Sequence, residues 1–206
     1  MTTEPLQERA SESRVSEPRV IEQRGLYFDE LEEDVVYAHR PGRTVTEADN
    51  VLFTTMTMNT QALHLDAAWS AEQPFGQRLM NSMFTLATVV GQSVPQLTQG
   101  TIIAQLGLTD VSFPHPMYHG DTLYTETAVT GKRLSSSRPG QGIVTMKHTG
   151  RNQHGDVVAL ATRSALMWTR DAHTAAQQAH SAQQENTAQQ EKPARKERAQ
   201  RGRIDS

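Results

Sequence analysis

The sequence predicts an α+β fold in which a curved antiparallel sheet wraps one buried helix. Two observations carry this. From Asn81 through Gln92 the residues Met83, Phe84, Leu86, Ala87, Val89 and Val90 are apolar nearly all round, and a helix without a polar face belongs in the centre of a fold. A run of long strand-like segments then follows, separated by Pro, Gly and Asn turns, so one helix is followed by many strands.

Each element has its own signal. Val35–Tyr37 through Thr44-Val45 reads as a first strand region broken by Arg40-Pro41-Gly42. Thr46-Glu47-Ala48-Asp49 starts a helix, with Thr46 as cap and Asp49 closing a capping-box variant. Val51, Leu52, Thr55, Met56 and Met58 are expected to carry that helix's apolar face. After the central helix come strands at Ile102–Leu108, Asp110–Phe113, Thr122–Arg133, Gly142–Arg151 and Val157–Trp168. Pro114-His115-Pro116, Gly120-Asp121, Arg138-Pro139-Gly140-Gln141-Gly142 and Asn152-Gln153-His154-Gly155 supply the breaks. Alternation in the fourth of these strands, where Thr145, Lys147 and Thr149 interleave with Val144, Met146 and His148, is a mixed signal.

Composition bounds the rest. The chain has 206 residues, 36% hydrophobic and 21% charged, with a formal net charge of −3, which suits one soluble domain of about 150 residues plus extra sequence. Near-neutral charge gives no reason to expect nucleic acid or an anionic membrane as partner. The absence of cysteine rules out disulfides, thiolate metal sites and thiol nucleophiles. Residues 1–24 lack the apolar core of a signal peptide, and no apolar run approaches the ~20 residues that span a bilayer, so a cytoplasmic protein is expected. The domain is expected over residues 25–170. Residues 1–24 and 171–206 are too poor in apolar residues to offset the entropy of ordering and are expected to be disordered, with transient helix at 172–190. The cluster Lys192, Arg195, Lys196, Arg198, Arg201 and Arg203 is expected to be solvated.

The segment Met56-Thr57-Met58-Asn59-Thr60-Gln61-Ala62-Leu63-His64-Leu65-Asp66 is the leading candidate for chemistry. A histidine five residues after a short polar side chain can face it where a helix end turns into a loop, and the pair can hold and deprotonate a water. Other candidates are weaker. His115 and His119 have a metal-like spacing, but Pro116 breaks any helix and no third ligand is evident, so no metal is expected. Met56, Met58, Met80 and Met83 are expected to pack in the core.

The order of parts resembles the hotdog fold, specifically the MaoC-like dehydratase and R-specific enoyl-CoA hydratase family, over roughly residues 27–169. The family's hydratase frame has an Asp, an Asn two on, a Pro three on and a His five on. Here that frame reads Asn59, Gln61, Ala62 and His64, so the histidine alone is kept. Further matching marks are Phe75-Gly76 leading to Asn81-Ser82, then Phe113-Pro114-His115-Pro116 and Gly120-Asp121-Thr122-Leu123. Ser137-Arg138-Pro139-Gly140-Gln141-Gly142-Ile143-Val144-Thr145 and the Asn152-Gln153 turn complete them. Thr57-Met58-Asn59-Thr60 with the later Ser137–Gly142 motif looks most like the branch that handles mesaconyl-CoA or methylmalyl-CoA.

What the resemblance implies is a lyase that adds water reversibly to a 2-enoyl-CoA. His64 would be its acid and base, and Asn59 would hold water, since an amide has no accessible proton-accepting pKa. A second reading, in which Asp66 supplies the missing carboxylate, is disfavoured because an i, i+2 spacing orients His64 poorly. Gly76, Asn81, Ser82 and Met83 would place helix N–H groups against the thioester oxygen. Arg138, Gln61 and Arg78 would contact substrate or coenzyme A. For each the plainer reading is a helix cap, a turn or a surface charge. Hydration moves protons and water rather than electrons, so no cofactor beyond the substrate's own coenzyme A is expected. A single such sheet leaves an edge open, which implies at least a homodimer. The rivals are an acyl-CoA thioesterase and a non-catalytic acyl-CoA binding protein.

Overall fold

The computed structural model describes residues 19–201. The elements in chain order are β1 Val36–Thr44, α1 Glu47–Met56, α2 Ala62–Leu65, α3 Ala67–Ala71, α4 Ser82–Leu97, β2 Ile102–Ser112, β3 Thr122–Leu134, β4 Gln141–Arg151, β5 Val157–Trp168 and α5 Arg170–Arg201. The strands form one antiparallel sheet in the order β1-β3-β4-β5-β2, which leaves β1 and β2 as edges. Helix α4 lies on the sheet's inner face and contacts β1, β3, β4 and β5. This is the α+β arrangement the sequence predicts.

The differences have physical reasons. Helix α4 runs on past Gln92 to Leu97 with Pro95 inside its last turn, where only one intrahelical bond is forgone. Its burial is one-sided: Phe84, Leu86, Val89, Ser93 and Leu97 face the sheet, while Met83 is 56% exposed. The two strands expected at 102–113 are one strand, β2, whose pairing with β5 shifts register and whose Asp110 takes a left-handed turn at φ 51°. Strand β1 is likewise continuous, with the register shift falling between His39 and Arg43. Strand β4 alternates cleanly, with Gly142, Val144, Met146, His148 and Gly150 buried, because one face of the sheet meets α4.

Helix α1 forms with both halves of the capping box in place: Thr46 Oγ1 accepts from the Asp49 N–H and Asp49 Oδ2 accepts from the Thr46 N–H. Its inward face is nevertheless opposite to the one expected. Asn50 and Thr54 are fully buried, whereas Leu52, Met56 and Met58 are 62%, 75% and 87% exposed. Of the four methionines expected in the core, only Met80 is there.

A polar band divides the interior. Val45, Met80, Phe84, Val89, Met117, Leu123, Val158 and Ala159 pack at one end of the sheet. Leu31, Leu97, Val129, Val144, Met146, Ala165 and Met167 pack at the other. Between them lie Thr125 and Thr127 on β3, His148 on β4, Arg163 on β5 and Ser93 on α4, all buried, with His39 of β1 joining the row.

The C-terminal segment departs from the expectation of disorder. From Arg170 the chain is helical, and its first turn docks on the domain. His173 stacks on Trp168 with ring centroids 5.6 Å apart, and its Nδ1 lies 3.1 Å from the Tyr27 hydroxyl. Gly140, at φ 75°, is needed here because a Cβ would fall 2.3 Å from that of Ala172. An alanine-rich composition hides a dock made by one histidine. Arg24, expected in the N-terminal tail, is also tied to the domain through Glu30 at 2.7 Å. The expectations for residues 1–18 and 202–206 lie outside the described residues, as do the side chains of the basic cluster. Among the described residues no helix is long and apolar enough to cross a membrane.

Candidate active site

The site is assembled around the buried amide of Asn50. Its Nδ2 donates to the carbonyls of His64 and Leu79, each at 3.1 Å, and faces His119 Nε2 at 3.2 Å. Its Oδ1 accepts from the Asn81 N–H at 2.8 Å. One side chain of α1 therefore fixes α2, the 79–81 segment and the entrance of α4. Without it the His64 carbonyl and the Asn81 N–H would lack partners. Sequence reasoning missed Asn50, because it sits in a helix pattern where a polar residue reads as solvent-facing.

His64 lies on α2 and is 8% exposed. Its Nδ1 is 3.0 Å from the Leu79 carbonyl oxygen. A carbonyl only accepts, so Nδ1 carries the hydrogen and Nε2 keeps its lone pair in the neutral ring. That nitrogen has no hydrogen-bond partner among the described residues, which is the state a proton acceptor needs. Leu79 itself lines a cavity of about 210 Å³, walled by Phe75, Met80, Ser82, Thr85, Val158 and the 113–117 segment. His64 stands behind Leu79 rather than on the cavity wall.

Asn59 is half-buried beyond the end of α1, after Met58 turns the chain at φ 57°. Its Oδ1 accepts from the Gln61 N–H at 3.2 Å, leaving its NH₂ without a partner among the described residues. No hydrogen bond joins it to His64. Gln61 caps α2, its Oε1 accepting from the Ala62 N–H at 3.1 Å. Asp66, the alternative carboxylate, is spent as the N-cap of α3, where Oδ1 accepts from the Trp69 N–H at 2.9 Å.

The start of α4 keeps N–H donors to spare. Asn81, 3% exposed, caps the helix by accepting from the Met83 N–H at 2.9 Å, and its own N–H goes to Asn50. The Met83 N–H is thus occupied, and the Ser82 N–H at the cavity wall is the first helical donor left open. Gly76 adopts φ 66° in an open turn where a Cβ would meet nothing within 4 Å. Its glycine serves the backbone angle, not close approach.

The arginines separate. Arg78, expected at the surface, is 17% exposed and paired with Glu47 of α1. Burial and then the Arg78 charge lower the pKa of neighbouring His119. Arg138 is exposed in the β3–β4 loop, at the end of the sheet opposite the start of α4. His115 lines the cavity, and its Nδ1 lies 3.1 Å from the Val157 carbonyl. No three of the His, Asp and Glu side chains among the described residues converge as metal ligands do.

An antiparallel sheet wrapped on a central helix is the layout of a hotdog-fold domain. The chain belongs to the MaoC-like domain family, which it matches over residues 30–152. It is 30% identical over 149 residues to the mesaconyl-CoA hydratase of Haloarcula marismortui, covering 72% of this chain and 41% of that one. It is 29% identical over 161 residues to the beta-methylmalyl-CoA dehydratase of Chloroflexus aurantiacus, covering 75% and 43%. A Mycobacterium tuberculosis protein described as having a double hotdog fold superposes with a TM-score of 0.63 at 27% identity, over 70% of this chain and 44% of that one. The chain thus spans less than half the length of these proteins.

Proposed function

We propose that the protein is a cytoplasmic, homodimeric hydratase that adds water reversibly to a 2-enoyl-CoA thioester, with mesaconyl-CoA or a similar branched dicarboxylic enoyl-CoA as substrate. The observation that carries this is the pairing of an imidazole whose tautomer is fixed by the Leu79 carbonyl with an open helix N–H at Ser82. In the hydration direction His64 Nε2 takes a proton from water held by the Asn59 amide, and the hydroxide oxygen bonds to the β-carbon. The π electrons move toward the thioester carbonyl, whose oxygen becomes enolate-like and is met by the Ser82 N–H and the positive end of α4. The imidazolium then returns its proton to the α-carbon, so atoms balance with no electron acceptor and no metal. Gln61, Arg78 and Arg138 remain candidate contacts to the coenzyme A portion.

Dimerisation through the β2 edge follows from the same reading. Met83, Leu86, Ala87, Val90, Gln105 and Leu108 line a groove of about 340 Å³ between α4 and that edge, and Leu106 is 51% exposed. The double hotdog fold described for the Mycobacterium tuberculosis protein supports the pairing of two such domains. Incubating the pure protein with crotonyl-CoA and mesaconyl-CoA tests the function. Loss of enoyl absorbance without free thiol is expected. Release of thiol would make it a thioesterase, and tight binding without turnover would make it an acyl-CoA binding protein.

A further inference from the structure

We infer that His115 is the residue that selects for an acyl group carrying a second carboxylate. The inference rests on the proposed enoyl-CoA reading and adds to it which side chain meets the far end of the acyl group. Among the residues that wall the 210 Å³ cavity, His115 alone has an ionisable side chain. The others are apolar, apart from Ser82, whose backbone is assigned to the thioester oxygen, and Thr85, whose hydroxyl donates to the Asn81 carbonyl at 3.3 Å.

A carboxylate entering such a wall must meet a cation or a donor, since burying it unpaired is prohibitive. Arg78 is held by Glu47 and does not line the cavity, and Arg138 stands at the other end of the sheet. His115 is exposed, so it occupies the cavity rim, and its ring is already oriented. Nδ1 donates to the Val157 carbonyl at 3.1 Å, so a second proton can sit only on Nε2. A ring carrying hydrogen on both nitrogens gives one N–H to the protein and one to the ligand carboxylate. His64 shows the same anchoring to a carbonyl, so two histidines with fixed tautomers flank one acyl site, one for proton transfer and one for selection.

The test is the ratio of kcat/KM for mesaconyl-CoA to that for crotonyl-CoA, which lacks the second carboxylate. In His115→Ala this ratio is expected to fall at least tenfold, chiefly through KM for mesaconyl-CoA, whatever loss the two substrates share. His115→Arg is expected to restore most of the ratio, because it returns a cation to the rim. An equal loss on both substrates, an unchanged ratio, or a failure of the Arg variant to recover it overturns the assignment to selection. Wild-type protein inert on both thioesters instead overturns the hydratase reading, and the assignment falls with it.

Discussion

Buried histidines occur in two regions of this molecule, and they differ in what closes their hydrogen bonds. His64, beside the start of α4, is held by a backbone carbonyl on one nitrogen and left open on the other. His39 and His148, in the polar band beneath α4, are tied to side chains. His39 Nδ1 lies 2.8 Å from Gln96 Oε1, which only accepts, so Nδ1 donates and Nε2 accepts from the Thr127 hydroxyl at 2.8 Å. Thr127 Oγ1 then accepts from His148 Nδ1, also at 2.8 Å. The relay ends at His148 Nε2, a buried lone pair with no partner, on the strand next to Arg163, whose Nε and Nη1 are also without one. Burial, then the Arg163 charge and then His39, push the His148 pKa down to about 3. Burial alone is therefore a poor guide to chemistry. The band is sealed between two apolar clusters, whereas His64 is anchored to Leu79, a residue of the cavity wall.

The comparison breaks most directly at His64. His64→Gln keeps a polar side chain of similar size and is expected to lower kcat for enoyl-CoA hydration by about 10²–10⁴-fold, the usual contribution of a general acid–base. The far-ultraviolet circular dichroism should be unchanged. Equal turnover in the variant would put the chemistry elsewhere. Asn50→Ala should instead act through the fold, leaving the His64 carbonyl and the Asn81 N–H unpaired. A loss of about 3 kcal/mol is expected in urea titration, the scale set by a buried polar group left unsatisfied. A change below 1 kcal/mol would show that Asn50 is not the tie described.

The polar band should make stability depend on pH. The unfolded chain's imidazole has the ordinary value of 6.5, against about 3 for His148 in the fold. Below pH 6.5 the unfolded state binds a proton the folded state refuses, so stability falls as pH drops from 6.5 toward 3. The slope reaches up to about 1.4 kcal/mol per pH unit for this group, and His39, whose pKa burial also lowers, adds to it. Urea midpoints at pH 7 and pH 5 measure this, and His148→Leu should flatten the difference. A midpoint in the parent protein that does not move would mean the ring is solvated.

How legible all this was depends on whether the signal is local. The capping box of α1, the β5 bounds and the central place of α4 follow from neighbouring residues and were expected. Periodicity points to the wrong face of α1 because the partners of Asn50, the 79–81 backbone and His119, lie 29 to 69 residues away. His148 looked like one more residue in an ambiguous alternation until the sheet put Thr127 opposite it. In the candidate site, His64 and the Asn81 cap were visible as residue types in a frame. The occupation of the Met83 N–H, the anchoring of His64 to Leu79 and the cavity beside His115 exist only once the chain is folded.

The smallest expected effect is also the one that sharpens the site most. Asp66 is the nearest carboxylate in sequence to His64, and an Asp–His pair would change the proton bookkeeping of the reaction. The structure gives that carboxylate a different occupation, capping α3 through the Trp69 N–H. Asn caps a helix about as well as Asp does, so Asp66→Asn preserves the local backbone while removing the charge. If His64 works with Asn59 and water alone, kcat in this variant should fall less than about threefold, far short of the 10²-fold or more that losing a general base costs. Asp66→Ala should cost about 1 kcal/mol of stability through the lost cap, again with kcat nearly kept. A hundredfold loss in Asp66→Asn, with the melting temperature unchanged, would move the carboxylate into the reaction and make Asn59 a spectator.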